Sequence, residues 1–233
     1  MDAKEKSQIQ EQLVRLYLRL NGYLSSGYII HSDEHGNINS EIDVLAVRFP
    51  NNCEPERNVP PDAMLHTSDT HIDFLVCEVK SHGKSPQFNS PLKNNTENMH
   101  KILRWLGALT PNEVLTHGEK IQAIFQNGEI GTTKPSTYVI NERNIQIRPL
   151  IFKPETRSRR DEQPWFIKQP DIFSYISECL KPEIRRSTCA TKYDSTSWGA
   201  EYEPIVSFFK SDEYNDNLNM NNLYQYLEST DAR

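Results

Sequence analysis

The stretch Ile72-Asp73-Phe74-Leu75-Val76-Cys77-Glu78-Val79-Lys80 is an apolar run that ends in charge. A short continuous apolar run of this kind reads as a strand buried on both faces. Glu78 and Lys80, two residues apart, project side by side on one face of such a strand. Charges at the end of a buried strand are costly unless they are paired or coordinate a metal. Upstream, Glu41-Ile42-Asp43-Val44-Leu45-Ala46-Val47-Arg48 reads as a second strand, alternating at first and then continuously apolar. If the two strands are neighbours, Asp43 meets Glu78 on one face. Two facing carboxylates repel, which invites a divalent cation. Mg²⁺ takes one or two carboxylates and keeps waters for a substrate phosphate. A lysine beside such a site can position or deprotonate the attacking water.

Working outward, Ile9, Leu13, Leu16, Leu20 and Leu24 recur at helical spacing. They predict a helix over Ser7 to Leu20, with Ser7 as N-cap and Asn21-Gly22 as the stop. Tyr28 to His31 reads as a strand entering a turn at His35-Gly36-Asn37. Residues 50–71 are a Pro-rich loop insertion, and Ser81 to Asn95 is polar and irregular. Thr96 to Leu109 is expected as a helix with Met99, Ile102, Leu103, Leu106 and Leu109 on one face. Lys120 to Phe125 fits helix or strand. Thr137–Ile140 and Ile145–Phe152 read as strands, Asp171–Leu180 as a helix, and Leu218–Leu227 as a late amphipathic stretch.

An Asp in one hydrophobic strand followed by Glu-x-Lys closing the next resembles the core motif of the PD-(D/E)XK, or restriction-endonuclease-like, nuclease superfamily. The look is closest to its Mrr and Holliday-junction-resolvase-type branches, over about Gln8 to Leu109. The resemblance implies an α/β fold with an αβββαβ core, a mixed central sheet flanked by helices, and a C-terminal extension. It implies Asp43 and Glu78 as Mg²⁺ ligands, with Mn²⁺ able to substitute, and Val79 lending its backbone carbonyl to the metal. Lys80 takes the place of the catalytic lysine, and Glu11 matches a further acid supplied by the leading helix. The implied activity is endonucleolytic hydrolysis of phosphodiester bonds, with DNA as the expected substrate and anti-phage defence or genome maintenance as the setting. Two departures stand out. Glu78 follows Asp43 by 35 positions, a wide gap, and the acid Glu41 stands where the pattern has proline. Glu41 is read first as an exposed strand residue. Gln87 falls where some relatives carry a polar residue near the metal.

The rest of the chain sets bounds. Its 233 residues divide into a nuclease domain over 1–180 and an extension over 181–233. No stretch reaches roughly 18 consecutive apolar residues, so no membrane span is expected. Met1-Asp2-Ala3-Lys4-Glu5-Lys6 lacks the apolar run of a secretory signal, so a cytoplasmic protein is expected. A net charge of -6 excludes coating of nucleic acid by bulk positive charge but allows a local basic groove. The four cysteines show no paired spacing, so they read as free thiols rather than a zinc site. Arg157, Arg159 and Arg160, with His82 two residues past Lys80, are candidate nucleic-acid contacts. The pairs His31/His35 and His66/His71 are read as loop or turn residues ahead of metal ligands, Trp105 as core, and Trp165 and Trp198 as core ahead of stacking or interface residues. A homodimer or a partner subunit is the expected assembly. The rival function is a nuclease-fold binding or assembly subunit that does not cut.

Overall fold

The computed structural model describes residues 1–32, 37–53, 59–66, 70–81, 87–126, 137–157, 166–181, 198–212 and 217–231. In chain order its elements are helix α1 (Ala3–Leu20), strands β1 (Leu24–His31), β2 (Ile38–Arg48) and β3 (Ile72–Val79), and helices α2 (Ser90–Asn94), α3 (Thr96–Leu106) and α4 (Pro111–Gln126). Strands β4 (Tyr138–Ile140), β5 (Ile145–Lys153) and β6 (Phe166–Lys168) follow, then helices α5 (Gln169–Leu180), α6 (Glu203–Lys210) and α7 (Met220–Asp231).

The apolar run of β3 lies inside one mixed sheet, ordered β1-β2-β3-β5-β4 with β6 beside the end of β5. β2 pairs with β3 antiparallel, from Arg48↔Asp73 to Val44↔Cys77. β5 pairs with β3 in parallel, from Ile72↔Ile145 to Val79↔Phe152, and β6 continues the parallel set. Parallel neighbours need a crossover, which α2 to α4 supply between β3 and β5. All nine residues of β5 are buried, as a strand inside a parallel set requires. The carboxyl ends of β3, β5 and β6 therefore share one edge of the sheet, and the first half of β2 returns to it. Seven helices flank the sheet among the described residues, so the protein is α/β.

Several boundaries differ from the sequence reading for local reasons. α1 starts four residues before Ser7, because Asp2 caps it and Glu5 closes the capping box. Its stop is as expected, with Gly22 at φ 83°. Lys120 to Phe125 is helical, part of the sixteen-residue α4. Ser81 to Asn95 contains α2, with a proline in its first turn. Trp105 is not core: it is 58% exposed and stacks on Tyr28, ring centres 5.1 Å apart. The buried face of α3 is Asn98, Met99, Ile102 and Leu103, and Trp105 falls beside that stripe. Trp198 is half-buried against the core, with Arg19 over its ring.

The described parts of the 50–71 insertion are tied to the core. Tyr17 donates to Asp62 at 2.8 Å, the Asp62 N–H donates to the Asn21 side chain at 2.7 Å, and Leu65 is fully buried. Beneath Leu65 lies an acid that the sequence reading passed over. Asp73 is buried and accepts from Tyr23, from Gln146 Nε2 at 2.9 Å and from Arg148 Nε at 2.9 Å. The same arginine donates to the Leu65 carbonyl.

Beyond residue 181, α6 and α7 contribute Ile205, Val206, Phe208, Phe209 and Leu223 to the same apolar core as the sheet. Cys77 and Cys179 are buried thiols outside any disulfide, and Cys53 is an exposed one. No helix among the described residues is long and apolar enough to cross a membrane.

Candidate metal and phosphate site

The β2–β3 ladder stops at Val44↔Cys77, although β2 continues back to Ile38 and β3 on to Val79. One further step of the same register sets Asp43 opposite Glu78, on one face of the sheet. The strands fork at that step. The Val79 N–H donates to Asp43 Oδ2 at 2.6 Å instead of to the backbone of β2. Asp43 thus fills a ladder position with a carboxylate and keeps Oδ1 clear of any partner among the described residues.

Glu78 is fully buried. Lys80 Nζ lies 2.6 Å from its Oε2, an ion pair without hydrogen-bond alignment, and neither carboxylate oxygen has an aligned donor. The Lys80 ammonium is held from its other side, donating to Asn89 Oδ1 at 2.9 Å. Asn89, the residue before α2, was not singled out from sequence; nothing in a polar loop marks it. Arg15, also unremarked, donates from Nη2 to the Asp43 carbonyl at 3.0 Å and stands 3.8 Å from Glu11. Gly27 leaves room for this reach: a Cβ there would meet Arg15 Nη2 at 2.9 Å.

The acids feel one another. The Glu11 carboxyl is pushed up to about 6, first by burial and then by the Asp43 carboxylate, with Arg15 opposing. Burial also raises Asp43, against the Val79 N–H, and raises Glu78, against the Lys80 ammonium. Asp43, Glu78, Lys80 and Glu11 therefore gather at the carboxyl end of β3. Glu41 is exposed and adds to the field on Glu11 and Asp43. Gln87 is turned away and accepts from Lys93 at 2.8 Å. His31 and His66 are exposed, and His71 contacts Thr70. Arg157 lines a cleft next to Ser81. His35, His82, Arg159, Arg160 and Trp165 lie outside the described residues.

Among the described residues no three His, Cys, Asp or Glu side chains form a ready cage for an ion. The donor set nonetheless suits a hard divalent cation. The buried Glu78 has two oxygens without an aligned partner, the half-buried Asp43 has one, and Mg²⁺ characteristically takes one or two carboxylates and fills its shell with water and phosphate. No family model, curated protein or solved structure matches the chain.

A pH dependence follows. The folded-state value of Glu11 exceeds its ordinary 4.5, so between 4.5 and about 6 the folded chain holds a proton that the unfolded chain has released. This contribution favours folding below that window and is lost as pH rises through it. In metal-free buffer, Glu11→Gln is expected to gain thermal stability relative to wild type as pH climbs from 4.5 to about 6, and the gain should level off above that. A difference between the two melting curves that stays constant with pH would contradict this.

Proposed function

We propose that the chain is a metal-dependent nuclease of the restriction-endonuclease-like superfamily, cutting phosphodiester bonds in nucleic acid, with DNA the preferred substrate. The αβββαβ core belongs to this reading, as do a cytoplasmic setting and a role in defence or genome maintenance. The supporting observation is the fork between β2 and β3, which sets a buried Glu78 beside Asp43 with Lys80 2.6 Å away.

Asp43 and Glu78, with the Val79 carbonyl and with Glu11 behind them, would hold Mg²⁺ or Mn²⁺. The ion would polarise the scissile phosphate and acidify a water. The chain's own groups do the rest. The Val79 N–H fixes one Asp43 oxygen and leaves the other facing outward. Arg15 anchors the Asp43 backbone and limits repulsion from Glu11. Asn89 and Glu78 hold the Lys80 ammonium in one place, where it stabilises charge developing on the phosphate and orients the attacking water. The net charge of -6 is what favours the non-cutting alternative, a binding or assembly subunit of the same fold.

Wild type, Asp43→Asn and Glu78→Gln are to be compared for cleavage of supercoiled plasmid and single-stranded DNA, and for Mg²⁺ and Mn²⁺ binding by calorimetry. The expected result is ion-dependent cutting by wild type, with cutting and ion binding lost together in both variants. Asp43-dependent ion binding without cutting would favour the binding subunit. Neither cutting nor ion binding by wild type would sink the nuclease reading.

A further inference from the structure

The parallel register places three lysines in one row. Glu78↔Ile151 and Val79↔Phe152 extend to Lys80 beside Lys153, an extension supported by the 2.9 Å bond from the Lys80 N–H to the Phe152 carbonyl. Lys153 in turn pairs with Lys168. Register partners in a sheet share a face, so Lys80, Lys153 and Lys168 cross the strand ends on the face that carries Glu78. Neighbouring strands are about 4.8 Å apart, and like charges directly opposite one another are destabilising.

Lys153 is the informative member. It is 9% exposed and has no ion pair among the described residues, only the face of Phe166 with its Nζ 5.8 Å from the ring centre. Its stem is enclosed, while its ammonium, without an ion pair among the described residues, stays open to an anion.

A cleft of about 550 Å³ lies just past the same strand ends, on the α1 side of the sheet, so that only the edge of the sheet separates it from the row. Each of its inner walls is the chain just past a strand end: Ser81 after β3, Arg157 after β5, Gln169 after β6. Lys6 and Gln10 of α1 and Tyr224 of α7 close the other sides. In open parallel sheets the crevice outside the carboxyl ends of the strands is where ligands bind. Among the described residues, Lys6 and Arg157 face a single carboxylate, Glu155, to which Gln10 and Tyr224 donate at 3.1 and 3.0 Å. The described lining of the cleft is thus net positive in a chain of net charge -6. Gln169 is 5% exposed; its Oε1 accepts from the Met220 N–H, and its Nε2 has no partner among the described residues. An amide donor without a partner on the wall of a polar cleft is a place for a ligand acceptor.

We propose that a single strand of nucleic acid crosses the carboxyl ends of β3, β5 and β6, its phosphates held by Lys80 and Lys153 and its next nucleotide seated in the cleft against Arg157 and Gln169. The strand is single because the cleft has room for one nucleotide and presents amide groups that read unpaired base edges. The inference rests on the nuclease reading for the position of the scissile phosphate, but its test does not depend on cutting.

The test is fluorescence anisotropy with a labelled oligothymidine in EDTA, repeated across a salt series. Wild type is compared with Lys153→Met, which keeps the buried stem, with Arg157→Gln, and with Lys120→Gln on exposed α4 as control. Each track variant is expected to weaken binding roughly fivefold near physiological salt and to flatten the log–log salt slope by about 0.7, the share of one phosphate on a single strand. A lost packing contact would not move that slope. The control should match wild type. Unchanged slopes in Lys153→Met and Arg157→Gln, absence of binding by wild type, or tighter binding of the matching duplex would each overturn the track. The same proteins are then given Mg²⁺. Cutting by wild type with unchanged slopes would leave the nuclease standing without this track, and altered slopes without cutting would leave the track standing on a protein that binds but does not cut.

Discussion

Replacing Lys80 with alanine is expected to lower metal-dependent cleavage by about 10²- to 10⁴-fold, the range for a positioned acid–base or charge-stabilising group. Ion binding should survive, because the carboxylates that attract the cation remain and a competing ammonium has gone. The variant also exposes the cost of the site in its resting form. Glu78 is fully buried and its neutralising partner is Lys80. Without that ammonium the carboxyl, already raised by burial, rises further, and the folded state weakens near neutral pH. Added Mg²⁺ should therefore raise the melting temperature of Lys80→Ala more than that of wild type, since the ion takes over the neutralisation. Single-turnover cleavage beside a thermal-shift titration with Mg²⁺ measures both effects. A variant that cuts at the wild-type rate would remove Lys80 from the chemistry.

The sequence was legible where one element declares its own environment. The run ending at Lys80 could only be a buried strand, and its terminal charges had to be partnered, so the pairing of Glu78 with Lys80 and the approach of Asp43 could be anticipated from strand periodicity. Partners drawn from elsewhere in the chain were not legible. Asn89, Arg15 and Lys153 are ordinary polar residues in sequence, and they acquire meaning only from a turn, a helix crossing and a parallel register that one strand does not encode. Trp105 shows the same limit for packing. Its size suggested burial, but a shift of one position around α3 moved it off the apolar stripe and onto Tyr28. The start of α1 was missed for a local reason: Asp2 and Glu5 close a capping box upstream of Ser7 and Gln10, which offer the same signal within the helix.

The largest loss of stability is expected at Arg148, far from the chemistry. Arg148 donates twice to Asp73 and once to the Leu65 carbonyl, and all three residues are buried. Removing one partner of a buried pair leaves an uncompensated charge and costs about 3–5 kcal/mol. Against a total of about 5–15 kcal/mol, Arg148→Ala should shift the denaturant midpoint severely. Asp73→Leu combined with Arg148→Leu, which removes both charges, should lose much less than the two single changes added together. Cleavage per folded molecule should not change in either case. Asp73 and Glu78 point to opposite faces of β3 from near its opposite ends, and the network of Asp73 closes under the 50–71 insertion. The contrast between these two acids of one strand separates structure from site. Asp73 has donors from three side chains, as a carboxylate kept for stability should. Glu78, equally buried, has only the Lys80 ammonium and the Asn89 N–H close by, neither in good alignment, an arrangement that folding alone would not favour. If Arg148→Ala proved harmless to stability, or abolished cutting in protein shown to be folded, that division would fail.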